Sequence, residues 1–147
     1  MAKRYKKILL AVDFHEDNDI VVETAKEFTD LYGAELHVAH VNEPLGMAYA
    51  ADGVNWGDQI YALEASIRKE STKKMAEMAA TLKIADAQCH LLEGRPATRI
   101  HELCSEGDFD LIILGTHGQS GLQLLLGSTA NSVLHGSGCD VLAVRIR

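Results

Sequence analysis

Apolar residues in this chain fall into short uninterrupted runs separated by segments of helical period. Ile8-Leu9-Leu10-Ala11-Val12 is continuously apolar, the pattern of a strand buried on both faces, as in a parallel sheet. Asp13 follows, and Asp13-x-x-Glu16 predicts a capping box opening a helix. Ile20, Val21, Ala25, Phe28 and Leu31 recur at helical spacing beyond it, and Gly33 supplies the stop. Leu36 to Val41 predicts a second strand. Asn42 to Asp58 carries glycines, a proline and no clear period, so it predicts a long loop of the kind often tied to function. Gln59 to Lys83 predicts a long helix with Ile60, Leu63, Ile67, Met75, Met78 and Leu82 on its apolar side and a polar middle from Arg68 to Lys74.

Ala87 to Leu92 predicts a third strand. Gly94-Arg95-Pro96 turns into a third helix with Pro96 near its first position; Ile100, Leu103 and Cys104 face inward and Gly107 ends it. Asp110 to Leu114 predicts a fourth buried strand, Ser128 to His135 a short helix closed by Gly136, and Asp140 to Arg147 a fifth strand. Strands alternating with helices predict an α/β fold: an open parallel five-stranded sheet with right-handed crossovers and helices on both faces. Ligands of such sheets bind beyond the carboxyl ends of the strands, where the winding reverses. Asp13, Val41, Gly94 and Gly115 to Gly118 stand at those ends.

Composition narrows the class. A length of 147 residues suits one domain spanning 1–147, large enough to need no disulfide or metal for stability. The formal net charge of -7 argues against a nucleic-acid surface, and the cluster Lys3-Arg4-Lys6-Lys7 reads as a solvated lead-in to the first strand. Cys89, Cys104 and Cys139 are odd in number and form no C-x-x-C pair, which fits core thiols in a reducing compartment. The first apolar run is too short for a signal peptide, and none approaches a membrane span. The expectation is a cytoplasmic protein without membrane insertion.

The segment from Gly115 to Asn131 carries the chemistry. Gly115 and Gly118 let a backbone approach a ligand closely. Gly127-Ser128-Thr129 opens the fourth helix, where free N–H groups and the helix dipole favour a phosphate. The hydroxyls of Ser128 and Thr129 can add hydrogen bonds or face a phosphate-bound metal. Two readings stay open on spacing alone: a phosphate cradle, or ordinary helix-end glycines with Ser128 as N-cap. The segment is neither a Walker A loop nor a Gly-x-Gly-x-x-Gly fingerprint. Lacking a P-loop lysine, it suits holding a nucleotide better than hydrolysing it.

The histidines show no metal-ligand spacing. His117, inside the glycine turn, is open to a phosphate contact or to a structural role. Trp56, in the long loop, is unusual for so large an apolar side chain. It suits either a cover over a nucleotide or a partner contact.

The chain resembles the universal stress protein family over essentially its whole length. The resemblance is carried by Lys7 to Asp13, His40-Val41, Gly94-Arg95-Pro96-Ala97, Asp110 to Gly118, the Gly-x-x-Gly at Gly115 and Gly118 followed by Gly127-Ser128, and Cys139 to Arg145. It points to the ATP-binding branch and implies an adenine nucleotide alpha hydrolase-like sheet of order 3-2-1-4-5. In that order Asp13 and Gly115 are neighbours. The resemblance further implies that Asp13 binds the ribose hydroxyls, its alternative being a helix cap. Ala11 and Val12 would line the wall near the adenine, where many relatives have proline before the aspartate. Val41 would lie against the adenine, and Gly115 with Thr116 by the ribose. His117 falls within the same turn, and Gly118, Gly127, Ser128 and Thr129 would hold the phosphates with Mg²⁺. Gln119 to Leu126 is one residue shorter than the family's usual span.

The resemblance also implies a homodimer through antiparallel pairing of Val141 to Arg147, with higher assembly open. The function it implies is nucleotide-dependent regulation of a protein partner in stress response, the cytoplasmic face of a transporter among them, with no catalytic residue. The alternatives are a slow ATPase or phosphotransferase, a nucleotide-free dimeric interaction module and a flavodoxin-like electron carrier. The last lacks a glycine between Asp13 and Asn18.

Overall fold

Residues 4–14, 18–45, 57–116 and 128–146 are described by a computed structural model. Five strands, β1 (Lys7–Ala11), β2 (Glu35–Asn42), β3 (Cys89–Glu93), β4 (Leu111–Gly115) and β5 (Asp140–Val144), form one sheet of order β3-β2-β1-β4-β5. Every neighbouring pair is parallel. The helices are α1 (Asp19–Tyr32), α2 (Gly57–Leu82), α3 (Pro96–Glu106) and α4 (Ser128–Gly136).

The uninterrupted apolar runs have a direct structural reason. Side chains alternate between the two faces of a strand, and helices cover both. Ile8, Leu10, Leu36, Val38, Leu111 and Ile113 pack with Val21 and Ala25 of α1 and Met75 of α2 on one face. Leu9, Ala39, Ile112 and Leu114 pack with Ile100 and Cys104 of α3 and Ala130 and Val133 of α4 on the other. Leu9, Leu10, Ile112 and Ile113 are wholly buried, and each such side chain contributes roughly 1.5–3 kcal/mol of transfer free energy.

Several boundaries differ from the sequence expectation. α1 begins at Asp19 with Asn18 in the cap position, later than the expected start at Asp13, and Glu16 of the expected capping box lies outside the described residues. Phe14 takes a left-handed conformation (φ 60), which no helix start tolerates, and its ring packs on that of His40 with centroids 4.4 Å apart. The buried face of α1 is narrower than its pattern suggests, since Ile20 and Leu31 remain 49% and 74% exposed. At its other end Gly33 adopts φ 62 and its N–H caps Thr29 O.

The polar middle of α2 conceals a core contact. Ser71 is buried, and its hydroxyl donates to Asn42 Oδ1 at 3.0 Å. Leu63, assigned to the apolar side, is 47% exposed. The third strand starts later than expected because a 3-10 turn occupies Asp86–Gln88. Gln88 fixes that turn: its Oε1 accepts from Ala85 N and its Nε2 donates to Leu36 O.

The fifth strand ends at Val144, short of Arg147. Thr116 N donates to Val144 O at 2.9 Å, and Ile146 N then donates to Thr116 Oγ1 at 3.2 Å. A side-chain hydroxyl thus replaces the next ladder partner. No helix among the described residues is long and apolar enough to cross a membrane.

Candidate functional site

The winding reverses between β1 and β4. β1 leads through α1 to β2 on one side, while β4 leads through α4 to β5 on the other. Sheets wound this way bind ligands in a crevice beyond the carboxyl ends of the strands at the reversal, which here are β1 and β4. The two strands pair as far as Leu10 opposite Ile113, and continuing that register sets Val12 and Asp13 level with Gly115 and Thr116. Ala11, Val12 and Asp13 thus stand on one side of this reversal and Gly115 with Thr116 on the other. β2 outruns β1, since Ala11 pairs with Ala39 and Val12 N donates back to Ala39 O at 2.9 Å. Val41 stands beyond that point, paired with Leu92 of β3.

Asp13 is half-buried, and Asn18 Nδ2 donates to its Oδ1 at 3.1 Å. The residue before it is anchored from β2: His40 Nδ1 lies 2.7 Å from Val12 O. A carbonyl only accepts, so Nδ1 carries a proton. The other ring nitrogen, Nε2, lies 3.0 Å from Asn42 Oδ1, which also receives the Ser71 hydroxyl. His40 therefore ties β2 to the backbone just before Asp13, and Ser71 ties α2 to Asn42 beside that histidine. Phe14 stacks on the same imidazole. Sequence reasoning assigned no role to His40, Asn42, Ser71, Phe14 or Asn18. The one available signal was a histidine and an asparagine closing a strand.

Gly115 has a packing reason for lacking a side chain. A Cβ there would collide with Ile146 Cδ1 and press on Val21 Cγ2 at 3.3 Å. Thr116 is engaged by β5 through its N–H and by Ile146, just past that strand, through its hydroxyl. α4 joins two parallel neighbours, so it runs back along them and starts near the carboxyl end of β4. Ser128 is its first residue, and Thr129, half-buried, its second. His117, Gly118 and Gly127, with Trp56, lie outside the described residues. No cluster of three or more metal-ligating side chains occurs among the described residues.

On the opposite half of β2, His37 Nδ1 and His90 Nε2 lie 2.9 Å apart with stacked rings. Burial, then the neighbouring His37 and Lys7, hold the His90 imidazolium below its ordinary value of 6.5. This pair sits at the β2–β3 seam and takes no part in the crevice.

The fold and sequence have clear relatives. The Universal stress protein family profile matches residues 4–145. Universal stress protein A homolog 2 of Coxiella burnetii is 42% identical over 97% of this chain and 97% of its own length. Among solved structures, the MJ0577 protein of Methanocaldococcus jannaschii superposes with a TM-score of 0.79 at 27% identity, covering 99% of both chains. A universal stress protein solved in complex with cAMP shares the fold with a TM-score of 0.65 at 21% identity, over 97% of this chain and 98% of its own. The profile match, the sequence identity and the five-stranded order converge: this chain belongs to the universal stress protein family, a family of stress-response proteins.

Proposed function

We propose that this protein binds ATP with Mg²⁺ in the crevice between β1 and β4 and acts as a nucleotide-dependent regulator. The observation that carries this reading is the strand order, which brings the carboxyl end of β1, with Asp13, beside the carboxyl end of β4, with Gly115 and Thr116. A carboxylate oriented by Asn18 suits a pair of ribose hydroxyls. Ala11, Val12 and Val41 offer apolar surface and strand-end backbone for the adenine. The start of α4 suits phosphate: Gly127, Ser128 and Thr129 would hold it with His117 and Gly118, and the Ser128 hydroxyl would face the Mg²⁺. These groups bind and orient, and none is assigned a catalytic part.

Bound nucleotide regulates only if it favours one state over another. β5 lies at the edge of the sheet, so antiparallel pairing of the segment from Val141 to Arg147 with a second copy is the natural responsive contact. Nucleotide would then set the dimer, any higher assembly and its hold on a cytoplasmic partner such as a transporter face. That a universal stress protein of this fold was solved with cAMP makes the cyclic nucleotide the comparison ligand.

Calorimetric titration with ATP, ADP, AMP and cAMP, each with and without Mg²⁺, tests the reading. ATP tightest, and gaining from Mg²⁺, is the expected order. No heat with any of the four would overturn nucleotide binding. A preference for cAMP would move the assignment from a triphosphate to a cyclic monophosphate site.

A further inference from the structure

Away from the crevice, α3 and the turn before β5 bring two cysteines together. Cys104 is buried near the end of α3, and Cys139 is partly exposed immediately before β5. Their Sγ atoms are 2.9 Å apart, inside ordinary contact for two sulfur atoms. The approach is built from both sides. Ser137 closes a tight turn on Cys139, accepting its N–H at 3.1 Å and donating to its carbonyl at 2.7 Å, and the Ser137 hydroxyl lies 3.5 Å from Cys139 Sγ. Cys104 is held by the core around Ile100 and Val133, with its thiol directed toward Phe109 O at 3.8 Å. Cys89, the third cysteine, lies at the start of β3 and has neither thiol nearby among the described contacts.

We propose that Cys104 and Cys139 are a redox-active dithiol that closes to an intramolecular disulfide when a hydroperoxide reaches it. The two thiols have unequal parts. Burial, together with the Cys139 sulfur beside it, pushes the Cys104 thiol up to about 12, so Cys104 keeps its proton. Cys139 is the sulfur that solvent reaches, and its thiolate attacks a peroxide oxygen. The O–O bond breaks, water or an alcohol leaves after taking up a proton, and Cys139 becomes a sulfenic acid. Cys104 Sγ then attacks the Cys139 sulfur. The S–O bond breaks, the Cys104 proton passes to the departing hydroxide, and a second water leaves. In sum, two thiols lose two electrons and two protons, and the hydroperoxide accepts both. Closure joins residues 35 apart in sequence and encloses β4 and α4 in one covalent ring, which restricts the unfolded chain and raises the melting temperature.

The test treats the reduced, folded full chain with hydrogen peroxide, blocks residual thiols with an alkylating reagent, and reads the products by intact and peptide mass spectrometry. The expected result is a fall from three alkylated cysteines to one, the survivor being Cys89, with a linked Cys104–Cys139 peptide that dithiothreitol abolishes. Cys89→Ser should behave as the wild type, and Cys139→Ser should leave Cys104 fully alkylated. Alkylation of both Cys104 and Cys139 after oxidation would overturn the proposal. So would a link between two chains, or Cys139 driven to sulfinic acid beside a free Cys104. The wild-type peptide map decides the matter even if a serine variant fails to fold.

Discussion

Asn18 holds the Asp13 carboxylate: its Nδ2 donates to Asp13 Oδ1 at 3.1 Å, across the turn that joins β1 to α1. Under the proposed function the acceptor is the ribose-binding group, and Asn18 is what orients it. Asp13→Ala should weaken ATP binding roughly 10- to 100-fold, the equivalent of about 1.5–3 kcal/mol for hydrogen bonds to a charged group. Asn18→Ala should weaken it less. Calorimetry with ATP and its 2′-deoxy analogue checks the assignment, because Asp13→Ala should erase most of the discrimination between them. Equal losses for both nucleotides would detach Asp13 from the ribose.

Gly115 faces inward as well as toward the crevice. An added Cβ meets the Ile146 side chain first and Val21 next, both in the same buried cluster. Gly115→Ala should therefore cost about 1–3 kcal/mol through overpacking. In a chain of this length that lowers the melting temperature by about 2–4 °C for each kcal/mol. Trimming the obstacle with Ile146→Val should recover part of the loss when the two changes are combined, a non-additivity expected of touching residues. Strict additivity of the two melting shifts would refute the contact as the cause.

The strands were legible because both faces of the sheet are covered. Runs such as Ile8 to Val12 carry no polar position to confuse the reading, and their order follows from the family resemblance. What the sequence hid was tertiary in origin. Phe14 is left-handed with its ring on His40, a contact between residues far apart in sequence, and α1 starts at Asp19 rather than at Asp13. Thr116 ends β5 by substituting its hydroxyl for a backbone partner, a contact between residues 30 apart. The contacts among Ser71, Asn42, His40 and Val12 left only a faint sign, a histidine and an asparagine closing a strand. Ser71 lies in α2, Asn42 and His40 in β2 and Val12 just past β1, and each polar member alone reads as an ordinary polar residue.

Asp110 closes the other end of β1. Its Oδ2 accepts the backbone N–H of Lys6 at 2.8 Å and of Lys7 at 2.9 Å, while Asp110 N donates to Lys7 O at 2.8 Å. One carboxylate oxygen thus serves two main-chain donors where β4 begins. Asp110→Ala removes both bonds to a charged acceptor and should cost about 1–3 kcal/mol. Asp110→Asn, which keeps an acceptor oxygen, should cost less. Urea denaturation measures the difference, and equal midpoints for the two variants would show that the lost hydrogen bonds are not what matters.

The His37–His90 pair predicts how stability responds to acid. The rings stack with centroids 5.2 Å apart and His37 Nδ1 lies 2.9 Å from His90 Nε2. Around them stand Lys7, whose ammonium lies over the Phe109 ring, Phe109 itself, edge-on to His37, and Glu35, with Oε2 3.1 Å from His37 Nε2. Burial first, then His37 and Lys7, depress the His90 pKa below 6.5. In the unfolded chain His90 regains its ordinary value, so on descending through pH 6.5 the unfolded state binds protons that the folded state refuses. Stability then falls with pH, and the loss continues until the folded His90 also protonates. Above 6.5 both states are neutral at this ring and it contributes no pH dependence. His90→Gln removes the proton uptake from both states. Its urea midpoint should therefore decline less than the wild type's between about pH 7.5 and about pH 5.5, whatever its stability at the upper limit. Parallel declines in the two proteins would locate the acid sensitivity elsewhere.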